Sequence, residues 1–127
     1  MEIRTHLKIN QRLSGKPISL EEGKAKVELK TIEEMAADEK GLVHGGFIFS
    51  LADYSAMLAV NEPTVVLAGA SVKFLKPVKV GDTVVAEAEV KKEEGKKRWV
   101  DVVVKKGEEV VFTGEFFCVV PPKHVLD

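Results

Sequence analysis

The chain has 127 residues, 45% of them hydrophobic, enough for one compact core and too few to suggest two, so residues 1–127 read as a single domain. A formal net charge of -1 and the lack of any Lys/Arg run interleaved with aromatics argue against nucleic acid as a partner. The lone Cys118 cannot form an internal disulfide and Met1-Glu2-Ile3-Arg4-Thr5-His6 has no apolar leader core, so a cytoplasmic location is expected, while the excess of Lys and Glu over Asn and Gln leans toward a heat-adapted source.

Lys24 to Lys30 alternates, with Ala25, Val27 and Leu29 on one face and Lys26, Glu28 and Lys30 on the other, which predicts a half-buried antiparallel strand. Glu22-Gly23 before it is a turn, and Ile18 to Leu20 is the expected partner strand. Thr31-Ile32-Glu33-Glu34 has the pattern of a capping box and predicts a helical turn through Glu33 to Ala36, followed by the polar loop Asp38-Glu39-Lys40-Gly41. Next comes the apolar run from Leu42 to Val60. Its Leu, Ala, Met and Phe content predicts a helix from near Gly45 to near Val60, ended by Asn61-Glu62-Pro63. Asp53 near its centre makes a membrane span unfavourable by about 2.5–3.5 kcal/mol. A helix apolar nearly all round should be covered on most sides.

Four Val-rich segments supply the cover: Thr64 to Phe74, Thr83 to Lys92, Lys97 to Lys106 and Glu108 to Val120. Turn residues at Pro77 to Asp82, Glu94-Gly95-Lys96 and Gly107 separate them. Inward sets are read as Val66, Ala68, Ala70, Val72, Phe74; Val84, Ala86, Ala88, Val90; Val100, Val102, Val104; and Phe112, Gly114, Phe116, Cys118. The Ala and Gly among them admit a helix close to the sheet. The expected architecture is α+β, a curved antiparallel sheet across one long helix.

Within the helical run, His44-Gly45-Gly46 and the lone Asp53 stand out, because a carboxylate among apolar residues must be compensated or serve chemistry. The solvated-stripe reading is the bland alternative for Asp53, and close packing is the bland reading of Gly45 and Gly46. His6 and His124 have no partners at ligand spacing, so no metal site is expected. Trp99, on the outward face of its strand, hints at a covered surface.

The order His44-Gly45-Gly46, Ser50-Leu51-Ala52-Asp53 and then Phe74-Leu75-Lys76-Pro77-Val78-Lys79-Val80-Gly81-Asp82 resembles the hotdog-fold acyl-CoA thioesterases. The branch it is most similar to holds the phenylacetic-acid-pathway and hydroxybenzoyl-CoA enzymes. The resemblance runs over nearly the whole chain from Gly23-Lys24-Ala25 onward. It implies the hotdog fold, a sheet wrapped around a central helix, and hydrolysis of acyl-CoA with no cofactor beyond the coenzyme A of the substrate. It also implies Asp53 as base or nucleophile, Gly45 as donor of a backbone N–H to the thioester carbonyl, and a homodimer, often paired into a homotetramer. At about 1.5 Å rise per residue, Gly45 and Asp53 of one helix lie roughly 12 Å apart, so both touch one carbonyl only if antiparallel helices of two subunits meet.

Further substrate contacts are expected from His44 and Gly46, from Ser50, Tyr54 and Met57 around the acid, and from Phe74. His44 either orients the loop or touches substrate, Ser50 bonds the acid, a water or its own backbone, and Tyr54 and Met57 line an acyl pocket or the core. Relatives often carry a hydroxyl residue at one of the two positions Tyr54 and Met57 to hold the lytic water, which Met57 cannot do, and Asn where this chain has Asp38 three residues before Gly41 and six before His44. Lys73, Lys76 and Lys79 either meet the phosphates of coenzyme A or are solvated. Two rivals remain open, a non-catalytic acyl-CoA binding module and an enoyl-CoA hydratase, although no second His stands near Asp53.

Overall fold

Every long alternating segment becomes a strand: β1 Lys16–Glu21, β2 Lys24–Lys30, β3 Val66–Phe74, β4 Thr83–Glu94, β5 Lys97–Lys106 and β6 Glu109–Val119. The computed structural model describes all residues, Met1–Asp127. Two helices complete it, the short α1 Gln11–Ser14 and the long α2 Gly45–Val60, with a 3₁₀ turn at Glu33–Met35 between β2 and α2. The strands form one antiparallel sheet in the order β1-β2-β4-β5-β6-β3, and α2 lies across its inner face. This is the α+β hotdog architecture expected from the sequence.

The strands alternate as read, and their small residues set the depth of the helix. Val27, Leu29, Val84, Ala86, Val100 and Val102 are buried beneath Leu51, Ala52, Met57 and Leu58 of α2. Gly95 and Gly107 turn the β4–β5 and β5–β6 hairpins at φ 58° and 60°, a left-handed backbone that costs glycine nothing. No helix is long and apolar enough to cross a membrane.

α2 ends as its composition predicts, but through Asn61 rather than through proline alone. Asn61 takes the left-handed conformation (φ 50°, ψ 40°) and its N–H closes on Met57 O at 2.8 Å. Its side chain accepts from Arg4 N and donates to Glu2 O, both at 2.8 Å, which ties the N-terminal segment across the helix end.

Three expectations need correction, and one element is new. The capping box does not form: Ile32 stands at the N-cap, and the Thr31 hydroxyl turns to Lys79 O and Asp82 O instead. β3 carries an irregularity between Leu67 and Gly69, so Leu67 rather than Val66 or Ala68 shares the inner face with Val72. α1 has no counterpart in the sequence reading, being four residues held by the Asn10 side chain on Arg12 N. The cover over α2 is also incomplete. The helix packs chiefly on β2, β4 and β5 and barely reaches β3, leaving Ala70 and Phe74 exposed on the inner side of an edge strand.

Candidate functional site

The site grows from the start of α2. His44 enters in extended backbone and offers no side-chain cap, so the helix begins with unpaired donors. The Phe47 N–H folds back to His44 O at 3.0 Å, but the amides of Gly45 and Gly46 have no acceptor within the chain. Two free N–H groups therefore stand at the positive end of a 16-residue helix dipole, a place that favours a developing negative charge.

Glycine permits close approach there. A Cβ on Gly45 would lie 3.1 Å from Cε2 of Phe74, whose ring closes over the helix start and packs edge-on against Phe112 with centroids 5.0 Å apart. A Cβ on Gly46 would lie 2.9 Å from Nε2 of His44, so the imidazole folds over that amide while staying solvent-exposed. Phe74, His44 and the two glycines thus form one cluster.

Asp53 lies two turns further along the helix. Its Oδ1 is buried without any hydrogen-bond partner, and burial raises the carboxyl from 3.8 to about 6. Cys118 of β6 is close enough to feel it: burial first and the Asp53 charge second push the thiol up to about 12. An orphaned carboxylate in a native fold calls for an explanation, and a group awaiting water or substrate is one. The partly open stripe of α2 at Gly46, Phe49, Ser50 and Asp53 faces the side that β3 leaves uncovered.

The remaining residues separate into neighbours and bystanders. The Ser50 hydroxyl is shared with Ser14 at 2.8 Å rather than with Asp53, a partnership that no spacing in the sequence announces. Met57 is fully buried, and Tyr54 is buried with its hydroxyl accepting from Gln11 Nε2 at 3.5 Å, so both belong to the core. Asp38 is exposed and its Oδ1 accepts the N–H groups of Lys40 and Leu42 at 2.9 and 3.1 Å, which makes it the organiser of its own loop. Lys73 alternates with inward Val72 and Phe74 and so points to the outer face of the sheet, away from Gly45. Lys76 does line the concavity beside Gly45. Trp99 is partly covered by its own chain, stacked on Phe117 at 5.3 Å with the Lys92 ammonium 4.8 Å above the ring.

Gly45 and Asp53 are eight residues apart on one continuous helix, roughly 12 Å at 1.5 Å per residue. A single chain therefore offers the unpaired amides and the unpaired acid at separate places.

Comparison with known proteins follows the same lines. The model of the thioesterase superfamily matches residues 40–113, which hold both Gly45 and Asp53. An uncharacterized protein of Pyrococcus horikoshii superposes with a TM-score of 0.99 at 61% identity, covering 100% of this chain and 98% of that one. PaaI of the E. coli phenylacetic acid degradation operon superposes at 0.77 with 27% identity, covering 84% and 83%. Among curated proteins the chain is similar to a methylthioribose-1-phosphate isomerase of Aquifex aeolicus, 66% identical over 119 residues, 94% of this chain and 26% of that protein. It is also similar to the transcription factor FapR of Caldanaerobacter subterraneus, 37% identical over 106 residues, 83% of this chain and 53% of that one. The chain thus spans about a quarter of the first protein and about half of the second.

Proposed function

The chain belongs to the thioesterase superfamily, and from that membership we propose that it hydrolyses acyl-CoA to the free acid and coenzyme A as a homodimer. The observation that carries the proposal is the unpartnered, buried carboxyl of Asp53, raised to about 6, in a chain whose Gly45 amide is also unpaired. Neither group satisfies anything in the fold, and each suits one half of acyl transfer.

In this reading two α2 helices run antiparallel about a two-fold axis, so that Gly45 of one subunit faces Asp53 of the other. The unfinished surface supports it: β3 is a nine-residue edge strand with an uncovered inner face, next to the open stripe of α2. Asp53 takes a proton from water, the hydroxide adds to the thioester carbon, and the Gly45 N–H receives the oxyanion. Collapse of the tetrahedral intermediate breaks the C–S bond and releases the thiolate of coenzyme A. Phe74 and Phe49 are the available apolar walls for the acyl group.

A panel of acyl-CoA esters assayed by thiol release tests the activity. Asp53→Asn is expected to lower kcat by about 100-fold or more, and a folded variant that keeps its rate overturns the role given to Asp53. Single turnover in ¹⁸O-water separates the two roles the acid can take. Label in the Asp53 carboxyl with unlabelled product acid indicates attack by the carboxylate itself through an anhydride opened at Asp53, and label only in the product acid is the outcome expected of base catalysis.

A second reading rests on Met57 and Ser50. One is core and the other is engaged by Ser14, so no free hydroxyl stands beside Asp53 to hold a lytic water. With relatives named as transcription factors, a non-catalytic acyl-CoA binding module is the alternative. Binding of an acyl-CoA with no thiol release by the wild type selects it.

A further inference from the structure

We infer that residues 121–127 of one subunit cross to the other and close the outer lip of the apolar groove at the start of its α2, with Val125 and Leu126 seated against Leu42, Leu75 and Pro77. The inference rests on the antiparallel dimer proposed above and adds to the composite site a wall that neither Gly45 nor Asp53 supplies.

The groove, about 330 Å³, is mostly apolar and runs from Gly45 past Phe74 to Leu42 and Leu75. Eight large apolar side chains stand exposed in the chain: Leu42, Phe74 and Leu75 belong to this groove, and Val125 and Leu126 to the segment after β6. Apolar surface gathered in this way marks a contact site. The segment is shaped to present its two residues. Val120 packs against the core and its N–H donates to Lys96 O at 2.7 Å. The Thr64 hydroxyl then donates to Pro121 O at 2.7 Å, which draws the chain to the side of the edge strand β3. Beyond it the Leu126 N–H donates to His124 Nδ1 and the Asp127 N–H to His124 O, each at 3.0 Å. This turn leaves Val125 58% and Leu126 86% exposed.

Direction decides which groove the segment meets. Within one chain the start of α2 lies at the Phe74 end of β3, where Phe74 pairs with Phe112. Asp53 lies near Cys118, at the other end, where Leu67 pairs with Cys118 and Val66 with Val119. A chain's own groove and its own segment are therefore separated by the length of β6 from Phe112 to Val119, roughly 23 Å of strand. An antiparallel pairing exchanges the ends. Where Gly45 of one subunit faces Asp53 of the other, the second subunit leaves β6 at Val119, one residue past the Cys118 near that acid, beside the first subunit's groove. From Val120 to Leu126 the chain reaches at most about 20 Å, enough to bridge the lip. Charge agrees with the placement. Lys76 at the groove has no carboxylate within ion-pair distance in its own chain, and Asp127, equally unpaired, follows Leu126.

Treatment of a Leu75→Cys/Leu126→Cys variant with a short bismaleimide tests this on a denaturing gel, with each single variant treated alike and sedimentation run on all three. Both positions are exposed, so the variants are expected to fold. Cys118 is buried with its thiol pushed up to about 12, so it does not compete for the reagent. The double variant should run mostly as a covalent dimer, and each single variant mostly as a monomer. If the variants sediment as dimers but the double variant links no better than the single ones, or links only within one chain, the assignment is overturned. Sedimentation as a monomer overturns the antiparallel dimer and the assignment with it. Cross-linking as expected, with no hydrolysis of any acyl-CoA by the wild type, supports the placement of the segment and refutes the hydrolase.

Discussion

Asp53 is held in the fold at a disadvantage. Its folded value of about 6 lies above the ordinary 3.8, so the native state binds its proton more tightly than the unfolded chain does. The contribution to stability is therefore fully present in acid, below about 4, and is lost as the pH rises through about 6. At pH 7 the ionised group is a burden that Asp53→Asn removes. Chemical denaturation at pH 7 should show the variant more stable by about 2 kcal/mol, a gain that vanishes near pH 4. The same ionisation predicts activity: kcat/KM should fall on the acid side of about pH 6, and a profile flat down to pH 4.5 would remove Asp53 from the reaction. Stability and rate thus move in opposite directions at one carboxyl.

At the scale of elements, most of the architecture was legible because it depends on alternation and on chain-breaking residues. α2 runs from Gly45 to Val60 as read, since the glycines begin it and the left-handed Asn61 before Pro63 ends it. The inner face of β6 was also legible, and its Gly114 shows how tightly β3 closes on it. A Cβ there would lie 2.8 Å from Cγ1 of Val72 and 2.9 Å from the Phe116 ring, so Gly114→Ala should lower stability by about 1–3 kcal/mol in a thermal or denaturant melt. What escaped was whatever a distant partner decides. Thr31 has the right spacing for a cap, but the carbonyls of Lys79 and Asp82, some fifty residues away in sequence, claim its hydroxyl. The irregularity in β3 shifts the phase of its first residues, and period-two patterning cannot reveal an extra residue. Ser50 was placed near the acid by helical spacing, and only the fold brings Ser14 to it. Of the candidate site, the sequence offered residues, His44, Gly45, Gly46, Asp53 and Phe74, and not their surroundings.

For the whole molecule, the proposed division of labour between subunits has a direct consequence in mixed dimers. Asp53→Asn and Gly45→Val chains, each inactive alone, should form a heterodimer with one intact site when expressed together. Random pairing should restore about a quarter of the wild-type rate, and no restoration would place both groups in one chain's site. Ala70→Arg, on the uncovered inner side of β3, should shift sedimentation toward the monomer and abolish hydrolysis together. Thr31 joins the same whole. It bonds the 79–82 loop through its hydroxyl and also through its backbone, Thr31 N to Asp82 O at 3.0 Å and Gly81 N to Thr31 O at 3.2 Å. The 79–82 loop is consequently pinned to the end of β2, and Thr31→Val, which removes the side-chain half of that tie, should lower stability by about 1 kcal/mol in a denaturant melt.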